Sequence, residues 1–248
     1  MNQNAADGLS YEQFRILAQD TTKSRNEKIG FPDEYRQGYE TVIISDIISK
    51  LCLDSTGISV VDIGCGCSGL VDLLIENSVK YDHCLTLLDS PEMLGQLTVT
   101  HPKVKLVSGA FHSEISSAEL GVGQWDAVLL YSVLQYAFSN ENLFGFFDAL
   151  LKLLAPGGRL LIGDIPNISM RKRFFSSNLG IKTHKHFTQS NERPEVVFNK
   201  IEEGFIDDAV IFSLLMRARL AGYHAFVLPQ ADNCPMSSRR EDLLIYRP

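Results

Sequence analysis

The run Val60-Val61-Asp62-Ile63-Gly64-Cys65-Gly66-Cys67-Ser68-Gly69 holds the residues best suited to grip a ligand. Three glycines follow a short β-branched stretch, and a helical apolar pattern starts at Leu70. Glycines in that place allow a tight turn and close approach of backbone to ligand. Backbone N–H groups at the helix start favour an electronegative group. A second carboxylate, Asp89, closes the next apolar stretch. An acid about 20 residues beyond such a loop can accept ribose hydroxyls. The pattern reads as a site for a nucleotide-like ligand. Acid–base chemistry has its own candidates: Asp164 at the end of a later strand, His184 and His186 around Lys185, and His112.

The elements that must position these groups alternate. Leu9–Gln19 and Thr41–Leu53 carry apolar residues at helical spacing and precede the glycine loop. Thr21–Gly38 between them reads as a loop. From Ile58 onward, short apolar strands (58–63, 84–88, 104–107, 125–131, 159–165) alternate with helical segments (70–77, 91–97, 142–154). Pro156-Gly157-Gly158 breaks the last of those helices. Residues 166–204 interrupt the alternation with a polar, basic insert, and a helix at 207–222 and two strands at 223–229 and 241–247 close the chain. Alternating strands and helices imply a doubly wound α/β sheet, with ligand at the C-terminal ends of the strands. One domain is expected: residues 1–54 as a helical cap, 55–165 as the ligand-binding core, 166–206 as a substrate-side insert, and 207–248 as the closing helix and strands.

Bulk composition narrows the class. The 248 residues carry a formal net charge of −7, with 45% hydrophobic and 21% charged residues. An acidic chain repels phosphate backbones, so nucleic acid is a poor default partner. The five cysteines include no CxxC pair, and Cys65 and Cys67 flank one glycine, a poor spacing for zinc, so no metal is expected. Met1–Ser10 lacks a basic region followed by an apolar one, and no apolar run approaches the roughly 20 residues of a membrane span. These features point to a cytoplasmic protein that does not enter a membrane, either a monomer or a homodimer.

The segments VVDIGCGCSGL, CLTLLDSPEML, WDAVLLYSVLQY and LLKLLAPGGRLLIGD, in that order, resemble the successive motifs of class I S-adenosylmethionine-dependent methyltransferases. The resemblance covers about residues 55–165. It implies a Rossmann-like seven-stranded sheet, mostly parallel, with an antiparallel last strand, and S-adenosylmethionine as cofactor with S-adenosylhomocysteine as product. By the same resemblance, Asp62, Gly64, Cys65 and Gly66 face the methionine part of the cofactor. Asp89 holds the ribose, with Ser90 and Met93 near the adenine. Ala110 and Phe111 flank the adenine, and Tyr131 and Ser132 lie beneath the sulfonium. Two departures stand out: Ser68 displaces the third glycine to Gly69, and no acid follows the third strand at Gly109-Ala110-Phe111.

Methyl transfer needs orientation above all, and a hydroxyl acceptor gains from a nearby base. Asp164, His184 and His186 are the expected catalytic groups; Gln135, Tyr136 and Asn167 are expected to orient the acceptor. The insert carries Arg171-Lys172-Arg173 and further lysines, which suggests a lid clamping an anionic small molecule, with Arg239 and Arg240 joining. On that reading, replacing Arg171 and Arg173 by Ala raises the acceptor KM alone. The C-terminal segments GDIPNISMRKRFFSS, FNKIEEGFIDDAV and SSRREDLLIYRP resemble bacterial methyltransferases of surface-polysaccharide biosynthesis, which implies O-methylation of a sugar or sugar acid. The competing readings are an NAD-dependent oxidoreductase, whose fingerprint also has GxGxxG and a later acid; a binding protein without chemistry; and an RNA or protein methyltransferase. The acidic charge and the absence of an Asn-Pro-Pro-Tyr-type motif argue against the last.

Overall fold

A computed structural model of the chain describes residues 8–248. Most of Met1–Ser10, on which the targeting expectation rests, lies outside the described residues.

Two short helices open the fold. Ser10 caps α1 (Tyr11–Gln19) in a reciprocal box with Gln13, and Ser24 caps α2 (Arg25–Lys28) in the same way with Glu27. These boxes satisfy N–H groups that the first helical turn leaves free. A 3₁₀ turn at Asp33–Tyr35 leads to α3 (Glu40–Leu51). The stretch 21–38, expected as a loop, is therefore partly helical.

The core then alternates. The order is β1 (Ser59–Ile63), α4 (Gly69–Lys80), β2 (Cys84–Asp89), α5 (Pro91–Leu94), β3 (Val104–Ser108), α6 (Ser117–Leu120), β4 (Trp125–Tyr131), α7 (Leu134–Asn140), α8 (Leu143–Leu153) and β5 (Leu154–Pro166). The insert folds into α9 (Ile168–Ser176) and α10 (Asn178–Thr188), followed by an irregular stretch. The chain closes with α11 (Asp208–Leu220), β6 (His224–Pro229) and β7 (Arg240–Tyr246). The Pro-Gly-Gly run does not separate helix from strand. It lies inside β5, where Gly157 has φ +80° and the pairing with β4 shifts register between Trp125 and Ala127.

The seven strands are ordered β3-β2-β1-β4-β5-β7-β6. β1 to β5 run parallel, and β7 is antiparallel to both β5 and β6. Strand order reverses between β1 and β4, which places a crevice above their C-terminal ends. The sheet is apolar on both faces. α3 and α4 cover one with Ile43, Ile47, Val71 and Leu74; α8 and α11 cover the other with Phe147, Leu150, Ile211 and Leu214. A parallel sheet covered on both sides holds its strand ends rigidly, so the groups above the switch point sit on a fixed floor.

Among the described residues, no helix is long and apolar enough to cross a membrane.

Candidate active site

The crevice at the switch point is deep and mostly apolar. Its floor is the glycine loop with Asp62, Gly64, Cys65 and Gly66. Asp89, Met93, Ala110 and Phe111 line the β2–β3 side, and Tyr131, Ser132 and Tyr136 the β4 side. The N-terminal segments supply the rest, notably Tyr11, Phe14, Ile29, Phe31 and Arg36.

The loop geometry follows from its glycines. Gly64 has φ +75° and Gly66 φ +62°, a left-handed region that costs L-residues strain. A Cβ at Gly64 would also meet Val133 Cγ2 at 2.7 Å, and one at Gly66 would meet Ile29 Cγ2 at 2.6 Å. Asp89 fastens the loop: its Oδ2 accepts the Gly66 N–H at 2.8 Å, and its Oδ1 accepts its neighbour's, that of Ser90, at 2.6 Å. Arg25 secures the next turn, donating to the carbonyls of Cys67 and Ser68 and to Asp72. Ser68 itself, which displaced the expected third glycine, caps α4 by accepting the Leu70 N–H.

Two carboxylates in the floor are electrostatically unusual. Burial, and secondarily the charge of Asp89, push Asp62 up to about 8. No donor or cation among the described residues meets its carboxyl group. Burial also raises Asp89, to about 6, although the N–H groups of Ser90 and Gly66 work against the shift. A buried carboxyl without a partner is expensive unless a cation completes it. A cationic ligand group at this place would complete the Asp62 carboxyl.

At the β4–β5 end stands a buried charged network. Ser132, just after β4, and Asp164, near the end of the adjacent β5, have φ +61° and +57°. Ser132 Oγ donates to Asp164 Oδ2 at 2.5 Å. Arg36 Nη2 donates to that same Oδ2 at 2.7 Å and to Ser132 Oγ at 2.6 Å, and Arg240 Nη1 reaches Oδ2 at 3.0 Å. Gln230 donates to Asp164 Oδ1 at 3.3 Å. Burial raises the Asp164 carboxyl, but Arg240 and Arg36, with the Ser132 and Gln230 hydrogen bonds, outweigh that and hold it below the usual range.

This network corrects the reading of Asp164 as a base. An acid held down by two guanidinium groups is a poor proton acceptor, and Asp164 lies behind the cleft lining. The other corrections have equally local causes. His184 and His186 lie on α10, which contributes nothing to the cleft. Asn167 caps α9 and donates to Asp208 and Glu241. Arg173 pairs with Asp208, Lys172 with Glu202, and Arg171 stacks on Phe175 at 5.1 Å. The insert is thus no lid over this cleft, and the KM effect expected for Arg171 and Arg173 loses its geometric basis. Gln135 is buried and donates to the Ser132 carbonyl, behind the lining. Ser90 caps α5 rather than facing the cleft. His112 faces Glu141, 3.6 Å away at the rim.

The sequence placed a helical cap over residues 1–54 but singled out none of its cleft-lining residues. α1 bridges the cleft: Phe14 packs edge-on to Tyr136 at 4.7 Å, and Arg15 grips Glu92 through two bonds of 3.0 and 2.7 Å. Phe31 lies under the Arg36 guanidinium at 4.0 Å. The capping boxes Ser10-x-x-Gln13 and Ser24-x-x-Glu27 were the available signal for an ordered N-terminal segment.

The match to known proteins falls on the same elements. Residues 61–162 match the family model described as a methyltransferase domain. An O-methyltransferase (number 12) of Dictyostelium discoideum is 28% identical over 132 residues, 51% of this chain and 33% of its own. A chondramide synthase of Chondromyces crocatus is 28% identical over 126 residues, 50% of this chain and 3% of its own. The chain thus aligns with a third or less of the length of these curated relatives. Among solved structures, the plantazolicin methyltransferase BpumL, in complex with a pentazolic desmethylPZN analog and SAH, superimposes over 96% of both chains with TM-score 0.55 at 14% identity. The N-methyltransferase NodS of Bradyrhizobium japonicum, in complex with S-adenosyl-L-homocysteine, covers 96% of this chain and 98% of its own with TM-score 0.54 at 13% identity. The fold of the present chain is the seven-stranded fold of these two methyltransferases.

Proposed function

We propose that the protein transfers a methyl group from S-adenosylmethionine to an oxygen of a small polar metabolite, of sugar or sugar-acid class, in the cytoplasm. The observation that carries the methyl-transfer reading is the Asp62 carboxyl, buried without a partner beside a glycine loop that Asp89 fastens. Asp62 would take the ammonium group of the methionine moiety. Asp89 would take the ribose hydroxyls with its remaining lone pairs, and Ala110 and Phe111 would face the adenine. When bound, the cofactor supplies an electrophilic methyl carbon. The chain's own contribution is orientation and exclusion of water. Tyr131 and Ser132 form a rigid floor at the acceptor end, and Phe14, Phe31 and Tyr136 close the space above it.

The sugar assignment draws support from the resemblance of the C-terminal segments and from the aromatic walls, whose faces suit the C–H face of a sugar ring. The test is incubation with methyl-labelled S-adenosylmethionine and a panel of free sugars, uronic acids and nucleotide-linked sugars. The expected product is a labelled methyl ether. A labelled amine from an amino-sugar or peptide panel, with no ether, would overturn the oxygen assignment.

The Asp62 reading predicts a pH signature. Its folded value, about 8, lies above the unfolded carboxylate value of about 4, so the folded ligand-free protein binds more protons between them. Stability of the ligand-free protein is therefore expected to fall as the pH rises from about 4 to about 8. S-adenosylhomocysteine should counter that fall, whereas methylthioadenosine, which lacks the amino-acid tail, should counter it less. Thermal melts across that range check this. An Asp62→Asn variant with the same slope as the native protein would refute it.

A further inference from the structure

Beside the apolar walls, the acceptor end of the cleft has one feature that methyl transfer does not use. Arg36 is 4% exposed and lines the cleft. Its Nη2 is held by Ser132 and Asp164, while its buried Nε has no hydrogen-bond partner. A buried guanidinium N–H left unpaired costs the desolvation of a charged donor, and the same guanidinium group belongs to a residue that lines the cleft, where a carboxylate can offset that cost. The charges agree. Arg36 and Arg240 share the single carboxylate of Asp164, and the next carboxylate, Asp242, is taken by Lys50 at 2.7 Å. Position agrees too. Asp89 ends β2, Asp62 lies in β1, and Arg36 stands over the ends of β4 and β5, on the side of the glycine loop opposite the ribose acid.

We propose that Arg36 is a carboxylate-binding, specificity-determining residue, and that the methyl acceptor carries a carboxylate which the Arg36 guanidinium receives. The inference rests on the methyl-transfer reading and narrows its acceptor to acids. Phe31, stacked on the guanidinium at 4.0 Å, and Tyr131, 5.6 Å away, keep water from the pair and fix the plane in which a carboxylate approaches. Ser132 and Asp164 are positioning residues for Arg36. Their left-handed backbone is the strain that places both side chains against one nitrogen.

The cofactor also has a carboxylate, on its methionine tail, so the test must separate the two sources. The probe is the Arg36 Nε–H resonance in a ¹⁵N-labelled sample, assigned by its loss in Arg36→Lys. S-adenosylhomocysteine is added first, then acetate or glucuronate, with acetamide and glucose as neutral controls. The expected result is little change at Arg36 on adding S-adenosylhomocysteine, then a saturable shift with the two carboxylates and none with the neutral compounds. The carboxylate response should disappear in Arg36→Gln while S-adenosylhomocysteine affinity changes less than threefold. A large shift with S-adenosylhomocysteine itself, absent with methylthioadenosine, would assign Arg36 to the cofactor and overturn the proposal. So would equal responses to acetate and acetamide, or none to either. Failure of S-adenosylhomocysteine to bind at all would instead strike the methyl-transfer reading, which keeps the two failures distinguishable.

Discussion

Replacing Asp164 by Ala is expected to destabilise the protein by about 3–5 kcal/mol, the cost of removing one member from a buried ion network. Arg36 and Arg240 would stay buried without their shared carboxylate, and Ser132 and Gln230 would each lose an acceptor. For a chain of this size, that corresponds to a fall in Tm of roughly 6–20 °C. Asp164→Asn keeps the shape and one acceptor oxygen, so its loss should be intermediate. The contribution is also pH-dependent in a known direction. The folded value of Asp164 is depressed, so its stabilisation is present above the unfolded value of about 4 and fades as the pH falls below it. A catalytic base gives the opposite pattern: a large loss of rate with an unchanged melting curve. Thermal denaturation of the two variants therefore decides whether Asp164 supports the site or reacts in it, and an unchanged Tm for Asp164→Ala would contradict the network.

The second large effect is expected at Asp89. The carboxylate fixes the loop through the Gly66 N–H and stands where ribose hydroxyls would bind. Asp89→Ala removes a charged acceptor worth about 1.5–3 kcal/mol, or roughly 10–150-fold in S-adenosylhomocysteine affinity. Methylthioadenosine, which keeps the ribose, should lose as much. Asp62→Asn should weaken S-adenosylhomocysteine and leave methylthioadenosine nearly untouched, because only the former carries an ammonium group. Calorimetry of the four protein–ligand pairs checks the division. Equal losses for both ligands in Asp62→Asn would contradict the placement of the ammonium at Asp62.

These two carboxylates also show where the sequence was informative. Asp62, the glycines and Asp89 lie within one β-α-β unit, so strand and helix periodicity fixed their spatial relation without tertiary information. The seven-stranded sheet with its antiparallel end came instead from the resemblance of the successive motifs to a known family, and the strand order itself is read from the folded sheet. Arg36 was invisible in that way. Its partners Ser132 and Asp164 are 96 and 128 residues away, and only the completed sheet brings them together. The stretch between the two expected cap helices was read as a loop for another reason. α2 and the 3₁₀ turn are too short for a periodic signal, and a Gly- and charge-rich stretch around them reads as a loop.

The insert shows the reverse error. Arg171, Lys172 and Arg173 read as a clamp because basic residues were counted without the acids that follow them. Glu202 and Asp208, a few residues before and within α11, neutralise two of the three in the folded chain. Asp164 lies near the end of the fifth strand, where the sequence placed it, but behind the cleft lining rather than projecting into it. Its burial between two arginines, which changes its role from proton acceptor to anchor, depends on contacts with residues 36 and 240 that no local pattern encodes.

The central claim is that this cleft binds S-adenosylmethionine through Asp62 and Asp89. The most direct measurement is calorimetric titration of the native protein with S-adenosylmethionine, S-adenosylhomocysteine and NAD under identical conditions. The account predicts saturable one-site binding of the first two, weakened by Asp89→Ala, and no binding of NAD. Binding of NAD with no response to either sulfur compound would contradict it.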